Sequence, residues 1–131
     1  MYYIYVDGGS LNNQDAKKRS GYGSFLVTKS EYPDHDKEKV VFKTFEFGKI
    51  TNNAAEYRAL QEALNYCINE FISGPCIFTD SNLVVSQLDG SYKTNDPGLK
   101  KLKDQADKDI KLIKATVSKI DRDVIFKVLG H

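Results

Sequence analysis

The sequence has only two cysteines, Cys67 and Cys76, and neither belongs to a Cys-x-x-Cys or Cys/His cluster. That leaves no ligand set for zinc and argues against a redox role; both thiols sit in apolar runs and are expected to be buried. Charge of one sign is missing too. Nineteen basic side chains against 18 acidic ones give a net charge of +1, so there is no global basic field, and any contact with nucleic acid must rest on a local patch. No apolar run approaches the roughly 20 residues of a membrane span, so no membrane role is expected. Repeats, low-complexity tracts and interdomain linkers are likewise absent, and residues 1–131 read as one domain, with an ordinary 40% hydrophobic and 28% charged residues. Met1 runs directly into a strand pattern, so no signal peptide is expected, and the default setting is reducing and cytoplasmic.

What is present begins with Tyr2-Tyr3-Ile4-Tyr5-Val6-Asp7-Gly8-Gly9-Ser10, an aromatic and β-branched strand that runs into a carboxylate and two glycines. Apolar residues on both alternating faces suit a central strand covered on both sides, although Asp-Gly alone also suits a hairpin turn. A polar loop bearing Lys17-Lys18-Arg19 follows. Gly21–Thr28 and Val40–Phe47 then read as a second and a third strand, antiparallel in series. Between them, Asp34-His35-Asp36 has ligand-type side chains but reads as a surface loop beside Pro33.

Thr51-Asn52-Asn53-Ala54-Ala55-Glu56 opens the longest helical pattern, in which Tyr57, Leu60, Leu64, Cys67, Ile68 and Phe71 form one stripe. After Ser73-Gly74-Pro75, the short run Cys76–Asp80 reads as a strand that again ends in an acid. A strand reached through a helix is expected to lie parallel to its neighbour, here the first strand. Ser81–Leu88 reads as a short helix. From Leu99 a lysine-rich amphipathic helix turns Leu102, Ala106, Ile110, Ile113 and Val117 inward, with Asp104, Asp107 and Asp109 among the outward lysines. Val124–Val128 reads as the last strand, which would put Asp121, Arg122 and Asp123 at its far end.

This order places Asp7 and Asp80 at the carboxyl ends of neighbouring parallel strands, with Glu56 in the first turns of the helix between them. Each acid has a structural role open to it. Asn53-x-x-Glu56 fits a capping box, and Asp80 could cap the short helix. If all three meet, the clustered negative charge calls for a divalent cation, and hard oxygen donors favour Mg²⁺ or Mn²⁺.

Tyr5-Val6-Asp7-Gly8-Gly9-Ser10, Thr51–Tyr57 and Thr79-Asp80-Ser81, in this order and spacing, resemble the first-strand, helix and fourth-strand motifs of the ribonuclease H family, type 1 branch. The resemblance covers nearly the whole chain. It implies a ribonuclease H-like α/β fold, with a five-stranded mixed sheet, three antiparallel strands first, flanked by helices. It also implies a monomeric endonuclease that cuts the RNA strand of RNA–DNA hybrids, leaving 5′-phosphate and 3′-hydroxyl ends. By motif, Asp7 would bridge two Mg²⁺ ions about 4 Å apart, and Glu56 and Asp80 would hold the leaving-group ion. Gly8, Gly9, Asn52, Asn53 and Asn82 match nucleic-acid contacts, and Thr51 would hold a DNA phosphate.

The chain departs from the family in two ways. Gly90–Gly98 is too short for the basic insertion of longer members, which shifts binding to Lys17, Lys18, Arg19 and the lysine-rich helix. Gly130-His131 resembles the family's Gly-His, whose histidine assists proton transfer or product release, but a fourth acid beyond it does not appear before His131. Three explanations stay open: the chain continues, a partner supplies the acid, or the site is impaired. The last favours an alternative reading, a hybrid- or duplex-binding module with little turnover.

Overall fold

The computed structural model describes residues 1–130, and His131 lies outside the described residues. The elements are β1 (Tyr3–Leu11), β2 (Ser20–Thr28), β3 (Lys39–Gly48), α1 (Asn52–Asn69), β4 (Cys76–Thr79), α2 (Asn82–Leu88), α3 (Pro97–Ile113), β5 (Thr116–Lys119) and α4 (Arg122–Leu129). They build one mixed sheet in the order β3-β2-β1-β4-β5. The first three strands pair antiparallel, while β1 pairs parallel with β4 and β4 with β5, as the helical crossovers require.

β1 is the centre of this sheet, and its alternation serves two layers. Ile4 and Val6 join Phe25 and Val27 beneath α1, against Leu60, Leu64 and Cys67, with Ala106 and Ile113 of α3 alongside. Tyr5, on the other face, packs with Leu26 against Ile125, Val128 and Leu129 of α4. The strand does not stop at Asp7. It continues to Leu11 along β2, and only the parallel partner runs out, Val6 facing Thr79 in the last β1–β4 pair. Asp7 is thus mid-strand, where the sheet opens, and the hairpin alternative at Asp7-Gly8 is excluded.

The expected last strand is a helix, which corrects the reading of Val124–Val128. A short apolar run does not by itself separate strand from helix. Here Ile125, Val128 and Leu129 share a face that closes over Tyr5 and Leu26, while Phe126 and Lys127 face outward. Asp123 in the first turn and Lys127 in the last also suit the helix dipole. The fifth strand is the more polar Thr116–Lys119, so Val117 belongs to β5 and not to the α3 stripe. Asp121, Arg122 and Asp123 therefore follow the last strand and lie at the same sheet edge as Asp80, opposite to the expected placement.

Four further expectations change. Phe71, expected in the α1 stripe, lies beyond the helix, which ends at Asn69, and is exposed. Asp109 is buried in α3, where its Oδ2 accepts from Gln61 Nε2 at 2.7 Å and from Gln105 Nε2 at 3.1 Å. Such donors compensate the desolvation that a lysine-flanked surface position would have avoided. His35 is also buried, stacked on Tyr32 with ring centroids 5.7 Å apart, because its loop folds back over Tyr5. Of the two cysteines Cys67 is fully buried, with burial pushing its thiol up to about 11, whereas Cys76 is only half-buried.

Candidate functional site

The cleft at the open end of β1 has a volume of about 210 Å³, and the three acids that the sequence singles out all line it. Each comes from a different element, Asp7 from β1, Glu56 from α1 and Asp80 from the end of β4. Their structural alternatives fall away. Thr51, not Asn53, caps α1, its Oγ1 accepting from Ala54 N–H at 3.2 Å, so Glu56 lies beyond the capping position. Ser81, not Asp80, caps α2, its Oγ accepting from Val84 N–H at 3.2 Å. Ser81 Oγ also donates to Glu56 Oε2 at 2.7 Å, which ties the α1 acid to the β4 end.

Gly8 explains how α1 comes so close. A Cβ there would stand 2.7 Å from the Ala55 carbonyl carbon and 2.9 Å from Glu56 Cα, and would also collide with the Ala55 carbonyl oxygen. The missing side chain lets the helix backbone sit directly on β1. A Cβ on Gly9 would meet the Tyr22 hydroxyl at 2.5 Å, so this glycine gives room to a wall of the cleft.

The charge balance is set by burial and proximity. Burial pushes the Glu56 carboxyl up to about 7, and Asp80 and Asp7 push in the same direction, against the Ser81 hydrogen bond and Arg122. The Tyr22 hydroxyl is likewise pushed up, first by burial, then by Asp7 and Asp80. The Glu56 shift gives a stability prediction for the metal-free protein. Its folded value lies above its ordinary 4.5, so its ionisation costs nothing at pH 4 and reaches full cost above pH 7. Glu56→Gln keeps an acceptor for Ser81 and is expected to stabilise the protein by roughly 2 kcal/mol at pH 8 but not at pH 4. Urea unfolding in EDTA at the two pH values measures this, and an equal effect at both would show that Glu56 is not strained by its charge.

Of the other singled-out residues, Gly8, Gly9 and Asn52 line the cleft. Asn52 Oδ1 accepts from Ser10 N–H, and its own N–H donates to Asn13 Oδ1 at 2.9 Å, so it joins α1 to the loop after β1. Thr51 and Asn53 line a separate groove with Arg19 and Lys49, where the N-terminal ends of α1 and α3 approach each other. Lys18 borders a hollow that also reaches Asn52. Asn82 does not line the cleft, and its Nδ2 donates to the Tyr92 hydroxyl at 3.3 Å. The His131 assignment falls outside the described residues.

Sequence reasoning missed three cleft residues, Tyr22, Phe126 and Arg122. Tyr22 and Phe126 form aromatic walls shared, together with Asp7, with a larger groove of about 800 Å³. Arg122 Nε donates to Asp80 Oδ2 at 3.2 Å. The pattern Asp121-x-Asp123 before Ile125, Val128 and Leu129 carries a helix-start signal that would have brought Arg122 to the β5 end. Neither Asp121 nor Asp123 lines the cleft.

Oxygen-only donors around a desolvated carboxyl fit a hard divalent cation in chemistry. Among the described residues, however, no three His, Cys, Asp or Glu side chains close into a ready-made metal-binding group. Rearrangement of the acidic side chains would have to complete one.

Comparison with known proteins agrees with this architecture. The chain is 36% identical over 103 residues to the bifunctional protein Rv2228c of Mycobacterium tuberculosis, a match that covers 79% of this chain but 26% of that protein. It thus spans about a quarter of the curated relatives' length. Among solved structures, RNase H1 from the halophilic archaeon Halobacterium salinarum NRC-1 superposes with a TM-score of 0.83 at 25% identity, covering 96% of this chain and 89% of the other. The N-terminal RNase H domain of Rv2228c gives 0.80 at 26%, covering 96% and 91%. LC11-RNase H1, solved in complex with an RNA/DNA hybrid, gives 0.77 at 25%, covering 94% and 87%. The RNase H family model matches residues 1–131, and with three acids on one cleft of this mixed sheet the chain belongs to the RNase H family.

Proposed function

We propose that this domain is a metal-dependent endonuclease that hydrolyses the RNA strand of RNA–DNA hybrids, leaving 5′-phosphate and 3′-hydroxyl ends. The observation that carries the proposal is the convergence of Asp7, Glu56 and Asp80, from three separate elements, on one cleft. Family membership and the hybrid bound to LC11-RNase H1 support the substrate.

Asp7, Glu56 and Asp80 would hold Mg²⁺, with Mn²⁺ as a substitute. Bound there, the metal would make water a better nucleophile and take up charge on the departing 3′ oxygen. The protein's own groups do the positioning. The amide of Asn52, beside the acids, accepts from Ser10 N–H through Oδ1 and has Nδ2 to donate to a 2′-hydroxyl, the group that separates RNA from DNA. The groove lined by Thr51, Asn53, Arg19 and Lys49 also holds Asp96, and its two cations against one acid, at the N-terminal end of α1, suit a phosphate of the DNA strand. The two sites share the start of α1, so one helix end registers both strands. His131, two residues after Leu129 in the sequence, is assigned proton transfer or product release.

The test is cleavage of end-labelled hybrid, double-stranded RNA and double-stranded DNA, with Mg²⁺ and with EDTA. Metal-dependent cutting of the hybrid's RNA strand alone is expected. Hybrid binding without cutting would establish the binding-module alternative, a reading that Arg122 on Asp80 favours.

A further inference from the structure

Arg122 is the only cationic side chain among the described residues that line the acid cleft. Its position follows from the strand register. Thr79 pairs with Lys119, and Ile120 N–H donates to the Thr79 carbonyl at 2.9 Å, so the chain leaving β5 rises beside Asp80. The next turn begins α4, and Arg122 is its first residue.

The resulting ion pair is lopsided. The Asp80 side chain is 9% exposed and that of Arg122 is 72% exposed, with Nε 3.2 Å from Oδ2. The carboxylate is fixed in the wall, whereas the guanidinium reaches in from solvent on a flexible stem. An exposed partner of this kind adds little net stability and costs little to release. The three carboxyl groups of the cleft face this one guanidinium, so a cation that enters competes with it for the same oxygens.

We propose that Arg122 is the resident counter-ion of the cleft, a positioning residue that holds Asp80 in the metal-free protein, competes with divalent metal for it, and thereby sets metal affinity. The inference rests on the metal-dependent reading above. A metal that takes Asp80 Oδ2 has to displace the guanidinium from it. Affinity in the absence of nucleic acid is therefore held below what the three acids alone would provide. The released fork, which suits phosphate oxygens, stays tethered at the cleft mouth.

The test measures Mn²⁺ binding by the EPR signal of the free ion, in the wild type, Arg122→Ala, Arg122→Lys and Asp7→Asn, without nucleic acid. Arg122→Ala is expected to bind Mn²⁺ roughly fivefold more tightly, an advantage that shrinks with added salt. Its melting temperature in EDTA at pH 8 should fall slightly, and the rise on adding Mn²⁺ should exceed that of the wild type. Arg122→Lys, which keeps the charge, should stay near wild-type affinity. Unchanged or weaker Mn²⁺ binding by folded Arg122→Ala, with wild-type binding that Asp7→Asn removes, overturns this inference alone. No Mn²⁺ binding by the wild type overturns both it and the metal-dependent reading.

Discussion

Asp7→Asn is expected to lower hybrid cleavage by roughly 10³-fold, about 4 kcal/mol of transition-state stabilisation, while the fold is retained. The size follows from where Asp7 lies. Asp7 sits at the opening of the sheet and lines both the acid cleft and the larger groove beside it. The amide has nearly the same shape and leaves the β1–β2 ladder intact, so the loss should appear in kcat and in metal affinity rather than in melting temperature. Single-turnover cleavage at saturating Mg²⁺, alongside thermal melting, separates these quantities. Cleavage within threefold of wild type would remove Asp7 from the chemistry.

Gly8→Ala should do the reverse, harming fold and chemistry together. The added methyl meets only backbone, the Ala55 carbonyl and Glu56 Cα, and neither can rotate away. Overpacking against rigid neighbours costs about 3 kcal/mol, which for a domain of this size lowers the melting temperature by roughly 10 °C. The helix must lift from β1, and the first residues to move are Ala55 and Glu56. Misplacement of a reacting group by an ångström can cost on the order of 10²-fold in rate. Gly48→Ala is the control. Gly48 has a φ of +73° but no atom within 4 Å of the added methyl, so only backbone strain follows, remote from the acids. A Gly8→Ala protein with wild-type stability and rate would show that the close approach of α1 is dispensable.

The acids were legible because each ends or interrupts a strongly patterned segment. Tyr3–Val6 and Ile77–Thr79 are apolar runs whose only carboxylates are the ones that follow them, and the α1 stripe fixes which side of Glu56 faces the sheet. The parallel pairing of β1 and β4 was readable from the crossover alone. What the sequence left unreadable depends on contacts between distant segments. Val124–Val128 suits a strand by composition, and only the surface offered by Tyr5 and Leu26 makes the helix favourable. Asp109 resembles its charged neighbours until Gln61 and Gln105 are seen to donate to it. Arg122 entered the cleft by the same misread segment, since its location depends on which residues form β5.

The alternation of β1 has a further consequence for folding accuracy. Side chains along a strand switch faces at every step, so a slip of one residue against β2 would turn Asp7 into the apolar layer under α1 and bring Val6 to the cleft. Hydrophobic patterning guards against this slip only weakly, because Ile4, Tyr5 and Val6 are apolar on both faces. The discriminating position is Gly8. In the register that brings Val6 to the cleft, Asp7 would oppose Ala55, and α1 could not seat. The contact that brings Glu56 to its partners thus also proofreads the strand against the slip that would bury Asp7.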